Sequence, residues 1–233
     1  GSFQGGVTIN ATPGEAYGAI KGTDYIYING EKVVNQTTGQ YMRTAASDKT
    51  IGNITPKWIG GIRNRISYKN IALSFLIDTQ KGGDIFSLDM YYGLATGLYP
   101  ETAVGNIRST GTVLPGVAPN GSPNTVSSAP GGEWNNNLNG YVNNPNKAFI
   151  YDASFIKLRE LSITYQFPKK FLNKSFIKDA KLSLVGTNLW IIHKNLPYAD
   201  PESGLTSGNL SRGYSVGSLP TTREIGLNLN FKF

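Results

Sequence analysis

The clearest pattern in this chain is strict alternation over residues 225–233. The odd positions are Ile225, Leu227, Leu229, Phe231 and Phe233; the even ones are Gly226, Asn228, Asn230 and Lys232. Successive side chains point to opposite faces of a strand, so this run has one apolar face and one polar face. The same period recurs upstream. Trp58, Ile62, Ile66 and Tyr68 share one phase, with Arg63, Arg65 and Ser67 in the other. Lys69-Asn70 then forms a two-residue connection, and Ile71, Leu73, Phe75 and Ile77 carry the apolar phase onward. A hairpin of this kind predicts Tyr68 opposite Ile71, Ile66 opposite Leu73 and Ile62 opposite Ile77.

A third strand is predicted over 155–167, with Leu161, Ile163, Tyr165 and Phe167 set against Glu160, Ser162, Thr164 and Gln166. Ile156 and Leu158 fall in the opposite phase, which points to a bulge or to a stretch rising above a membrane. A fourth covers Ala180 to Trp190, with Leu182, Leu184 and Trp190 against Lys181, Ser183 and Thr187. Weaker alternation in 17–28 and 32–42 predicts shorter strands, Leu88 to Leu98 a short helix, and Lys169 to Asp179 a single helical turn.

Strands of about 9–11 residues suffice to cross a bilayer when tilted. In the predicted register Tyr68, Tyr165, Phe167, Phe231 and Phe233 gather at one level, and Trp58 and Trp190 at the other. Rings at both interfaces with aliphatics between them are expected of a membrane barrel. The connections are also unequal: Lys69-Asn70 and Pro168–Asp179 are short, whereas about 79–150 and 192–220 are long. Short periplasmic turns and long extracellular loops have the same origin. The fold class expected is all-β, an antiparallel transmembrane β-barrel. A soluble β-sandwich carbohydrate-binding module is the alternative, and it requires a second sheet to shield each apolar face.

Composition narrows this little further. The chain has 233 residues, 39% hydrophobic, with 28 Gly, 13 Tyr and no Cys. Its mean hydropathy of −0.24 is too polar for a helical membrane bundle. Without Cys there is no disulfide framework or thiolate metal site. The net charge of +7 comes from 22 scattered Lys and Arg with no run of three, so no nucleic-acid partner is expected. No signal-like segment opens the sequence, and any signal is expected upstream.

The blocks between the strands resemble a known family. Ala153-Ser154-Phe155-Ile156-Lys157-Leu158-Arg159-Glu160-Leu161-Ser162-Ile163-Thr164-Tyr165-Gln166-Phe167-Pro168 is similar to a signature block of the SusC/RagA family of TonB-dependent outer-membrane transporters. Gly186-Thr187-Asn188-Leu189-Trp190, Asp200-Pro201-Glu202 and Leu219-Pro220-Thr221-Thr222-Arg223 follow in that family's order, with Thr187 where Arg is usual. Ile51-Gly52-Asn53-Ile54-Thr55-Pro56, Asp78 and Gly82-Gly83 match upstream blocks. The resemblance implies the C-terminal part of a barrel of about 22 strands, without its plug or TonB-contacting segment. It also implies an outer-membrane location in a Gram-negative bacterium and import of oligosaccharides or peptides. TonB would act through an N-terminal region outside this chain, with a SusD-like surface lipoprotein as partner. A non-transporting barrel adhesin is the other membrane reading.

Candidate chemistry is sparse, and neither an enzyme nor a cofactor is expected. His193 is the single histidine, so neither a His-based metal cluster nor a triad can be assembled around others. Asp78, Asp84, Asp200 and Glu202 could offer oxygens to Ca²⁺, but their spacing matches no calcium loop. Gly82-Gly83 and Gly131-Gly132 read as loop punctuation. Trp134 and Tyr141, aromatics in a polar Asn-rich loop, are the candidate ligand-binding residues; the competing role is to pin that loop to its neighbours. Ile225, Leu227, Leu229, Phe231 and Phe233 form the expected membrane-assembly strand, in contact with outer-membrane lipid.

Overall fold

The computed structural model describes residues 4–129, 138–173, 176–202, 213–219 and 221–233. In chain order the strands are β1 (Thr8–Asn10), β2 (Ala19–Gly22), β3 (Tyr27–Ile28), β4 (Glu31–Lys32), β5 (Lys49–Asn53), β6 (Pro56–Tyr68), β7 (Ile71–Gly82) and β8 (Asp84–Ser87). Helices α1 (Leu88–Ala95) and α2 (Ile107–Thr110) follow, then β9 (Ile150–Asp152), β10 (Phe155–Gln166) and the single turn α3 (Lys169–Leu172). Last come β11 (Asp179–Lys194), β12 (Tyr214–Ser215) and β13 (Glu224–Lys232). The chain divides into two compact units, one of 1–55, 83–152 and 196–218, the other of 56–82, 153–195 and 219–233.

The second unit is one antiparallel sheet in the order β13-β11-β10-β7-β6. Its register is that predicted from the alternation: Tyr68 faces Ile71, Ile66 faces Leu73 and Ile62 faces Ile77. Ile66, Leu73, Ile163, Leu184 and Leu227 therefore lie side by side across all five strands. One step along, Ser67, Ala72, Thr164, Ser183 and Asn228 form a row on the opposite face. The apolar face is bare: Ile66 is 59% exposed, Leu184 47% and Leu227 75%. That lacks the shielding a soluble sandwich requires.

The aromatic levels run obliquely to these rows. Trp190 shares the row of Leu158, Ile77 and Ile62, so it is displaced by four residues along β6 from Trp58. At the other end Phe231 and Phe233 lie two and four residues beyond the row of Tyr68, Tyr165 and Leu229. The two belts slope in the same sense. A shift of about four residues over three or four strands, at about 3.3 Å per residue and 4.8 Å per strand, is a tilt of about 35–43°. Transmembrane barrel strands tilt by about 35–45°. At such a tilt the run from Trp58 to Tyr68, about 33 Å along the strand, has a height of about 25 Å, which is the apolar band of such barrels.

The first unit corrects the reading of the long connections as loops alone. It contains two three-stranded sheets, β1-β2-β5 and β12-β8-β9, and the β3-β4 hairpin. β7 also runs on to Gly82, so the connection begins four residues later than the hydrophobic pattern placed it. Val7, Ile20, Ile51, Phe86, Met90, Leu94, Phe149 and Tyr214 form its core. Phe86, Phe149 and Ile20 are wholly buried. Ser87 caps α1 by accepting the Met90 amide at 3.2 Å. The weak strands expected in 17–28 and 32–42 appear only as β2, β3 and β4 with isolated bridges, and they belong to this unit. Asn29 (φ 51°) and Gly30 (φ 85°) supply the left-handed pair that turns β3 into β4.

Candidate functional site

The two faces of the five-stranded sheet are chemically distinct because the strand period is two. One face carries mainly Ile, Leu, Phe, Tyr and Trp, with Asn64 among them; the other is mainly Ser, Thr, Asn and charged residues, with Ile59, Leu76 and Val185 interspersed. On the polar face Arg63 donates to Glu160 across β7 at 3.3 Å, an exposed pair of small energetic weight.

A tighter arrangement lies at the bulge anticipated from the phase change near Leu158. The register of β10 shifts between Leu158 and Glu160 against both neighbours. Arg159, the extra residue, donates through Nε and Nη2 to Asp78 Oδ2 on β7 at 3.2 and 2.6 Å. Through Nη1 it donates to Asn188 Oδ1 on β11 at 3.1 Å. Asn188 holds φ at 49°, and Leu189 folds back into the space left by Gly186, where a Cβ would stand 2.7 Å from its Cδ2. One guanidinium thus ties three strands together, and a planar fork suits this better than a lysine would. Asp78, Arg159 and Gly186–Leu189, three separate blocks of the sequence, meet here. Distance in sequence hid this contact, although the phase slip marked its place.

In the first unit, aromatic rings pack against α1. Tyr141 stacks on Tyr91 with centroids 4.4 Å apart and meets Tyr92 edge-on at 5.5 Å. It packs against the buried core. Trp134, its partner in the expected ligand-binding pair, lies outside the described residues. The sequence reading missed two other features. A cleft of about 330 Å³ is lined by Leu88, Asp89, Tyr92, Tyr99, Val216 and Gly217, of which Leu88 and Tyr92 recur at helical spacing. Asp89 accepts from Ser215 Oγ at 2.6 Å, and Tyr99 stacks on Tyr198 at 4.3 Å. The other feature is Lys32, whose Nζ lies 3.9 Å from the Tyr25 ring centroid and 5.0 Å from that of Tyr41. Burial pushes the Tyr25 phenol up, with Tyr41, Tyr27 and Asp24 adding to it, and lowers the Lys32 ammonium against the pull of Asp24. Burial likewise raises Tyr151 and Tyr214 to about 12.

The remaining candidates have ordinary surroundings. His193 is an exposed β11 residue with Nε2 3.0 Å from Asn195 Oδ1. Asp84 accepts the Asn53 amide at 2.8 Å, and Asp200 accepts that of Glu202 at 3.0 Å.

Known proteins converge on one kind of molecule. Protein-family models give no match to the chain. TonB-dependent receptor P3 of Formosa agariphila is 28% identical over 195 residues, covering 82% of this chain and 18% of its own. TonB-dependent receptor P39 of the same organism is 28% identical over 227 residues, 94% of this chain and 21% of its own. The chain is similar in sequence to TonB-dependent receptors over most of its length. In fold, the chain matches part of the RagAB peptide importer in its open-open state, with a TM-score of 0.59 at 15% identity. That match covers all of this chain and 25% of the other. The chain therefore spans about a fifth of the length of its curated TonB-dependent relatives.

Proposed function

We propose that the chain is a wall segment of a nutrient importer in the outer membrane of a Gram-negative bacterium. The five-stranded sheet is its bilayer-spanning part, and the long connections of about 79–150 and 192–220 are its extracellular loops. The carrying observation is the sheet's pair of unlike faces, one apolar and exposed between oblique aromatic belts, the other polar. Such a sheet has two open edges, β6 and β13, which lipid does not tolerate. The rest of a barrel of about 22 strands supplies their partners. The cargo is oligosaccharide or peptide; the RagAB relative is titled a peptide importer. Transport is driven through TonB, whose contact lies elsewhere in the protein, and a SusD-like lipoprotein covers the extracellular side.

The test is uptake by cells carrying the full-length protein as their sole importer, supplied with labelled oligopeptides or oligosaccharides. Import should stop on deletion of TonB and on collapse of the proton-motive force while the protein stays in the outer membrane. An adhesin would bind its target unchanged under both treatments and import nothing. Recovery of the full-length protein in the soluble fraction would refute the membrane reading itself.

A further inference from the structure

The end of the sheet bearing the short connections carries its own charge pattern. Lys69 occupies the β6–β7 turn, Lys169 and Lys170 open α3, and Lys178 precedes β11; all four are exposed. None of these four ammonium groups has a carboxylate partner among the described residues, whereas nearby Lys181 pairs with Asp179 at 3.7 Å. Exposed rings stand beside them. Lys69 Nζ lies 5.2 Å from the Tyr68 centroid, and Lys170 Nζ 5.1 Å from that of Phe171. Phe171 is 66% exposed and Phe176 78%, and Phe176 stacks on Phe233 at 5.5 Å.

A cation held over a ring that is itself in the open is poorly explained by packing alone. Long lysine stems with apolar surface on one side and a charged head on the other fit the boundary between acyl chains and headgroups. Anionic groups at that boundary meet four ammoniums without a carboxylate partner among the described residues, and the nearby Asp179 is already engaged by Lys181. We propose that this rim is a docking surface for anionic phospholipid headgroups of the membrane's periplasmic leaflet. Tyr68, Phe171 and Phe176 are its anchors, and Lys69, Lys169, Lys170 and Lys178 its phosphate contacts. Lys232 and Lys181 lie in the phase of the polar face and take no part. The inference rests on the barrel reading above.

The test uses the full-length transporter purified from outer membranes in mild detergent. Native mass spectrometry counts bound dioleoylphosphatidylglycerol against equal dioleoylphosphatidylcholine. The unaltered protein should retain the anionic lipid about tenfold over the zwitterionic one at low salt. The fourfold variant Lys69→Gln, Lys169→Gln, Lys170→Gln, Lys178→Gln should lose that preference, and the fourfold Lys→Arg variant should keep it. Lys57→Gln with Lys81→Gln, at the opposite end of the same sheet, should also keep it. If the fourfold Gln variant does not insert, Lys169→Gln with Lys170→Gln alone should give a partial loss. Equal preference in the unaltered and Gln proteins, both membrane-inserted, overturns the inference and leaves the barrel reading standing. Loss in the Lys57/Lys81 control overturns it in favour of net charge. Loss of a co-purifying acidic protein without loss of lipid overturns it in favour of a protein partner. A protein found outside the membrane overturns both readings.

Discussion

Replacing Leu227 by Arg and, separately, Asn228 by Arg puts the same charge one residue apart on opposite faces of β13. Leu227 stands in the central apolar row with Leu184, Ile163, Leu73 and Ile66. Continuing the slope of the tryptophan level from Trp58 through Trp190 brings it to β13 near Glu224, and the lower level falls at Phe231 to Phe233. At about 3.3 Å per residue and the tilt derived above, Leu227 lies about 8 Å below the upper level and about 10–15 Å above the lower one. An arginine at such depth on the lipid face of a barrel costs about 2–4 kcal/mol. Asn228 lies on the other face, directly opposite Ser183, with no cation facing it across the ladder. Asn228→Arg should therefore change stability by less than about 0.5 kcal/mol. The assay is equilibrium unfolding in denaturant of the full-length transporter reconstituted in lipid vesicles, with Leu227→Ala separating lost apolar contact from added charge. Equal penalties for the two arginines, or the larger at Asn228, would show that the faces are not lipid and water.

Asp78→Asn should weaken the three-strand tie at the bulge by about 1–3 kcal/mol, because Arg159 keeps its charge and loses its carboxylate; heat-modifiability on gels should fall, and Asp78→Glu should restore only part of it. Gly140→Ala should loosen the unit around α1 by about 1–3 kcal/mol, since its Cβ would press on the buried backbone of Ala95; limited proteolysis within 83–152 should accelerate while the sheet stays protected. Tyr151 and Tyr214 ionise near 12 in the folded state and near 10 when unfolded, so their neutral forms favour folding. That contribution should be complete below pH 10 and be lost as pH rises from about 10 to 12; tyrosinate absorbance lagging behind an unfolded control checks it, and coincident titrations would refute it.

The phase slip at Ile156 and Leu158 shows how far a local pattern reaches. It located the bulge, yet could not say that Arg159 would be bound by Asp78 and Asn188, since residues 81 and 29 positions away leave no periodic trace. Tyr141 is similar: its setting in a polar, Asn-rich stretch fits a ligand contact and a packing role equally, and only coordinates place it on Tyr91. The cleft beside α1 joins Leu88 to Val216 and was invisible for the same reason.

The sequence by itself determined the sheet. In a strand exposed to two different environments, every side chain reports its own face, and a two-residue turn transfers that phase to the next strand without ambiguity. Five strands, the register of the β6–β7 hairpin and the division between apolar and polar faces followed from that one-dimensional code. Tertiary structure alone decided the other unit. Its core joins Val7, Ile20, Ile51, Phe86, Phe149 and Tyr214, drawn from three separated segments with short strands and many turns. Burial there is set by contacts between distant segments and by side-chain bonds such as those of Asn146 to Thr23 and Gly5. Such bonds satisfy the backbone without a repeating ladder, so beyond the short helix at 88–98 and the weak alternation in 17–28 and 32–42 no period was written along the chain to announce this unit's fold.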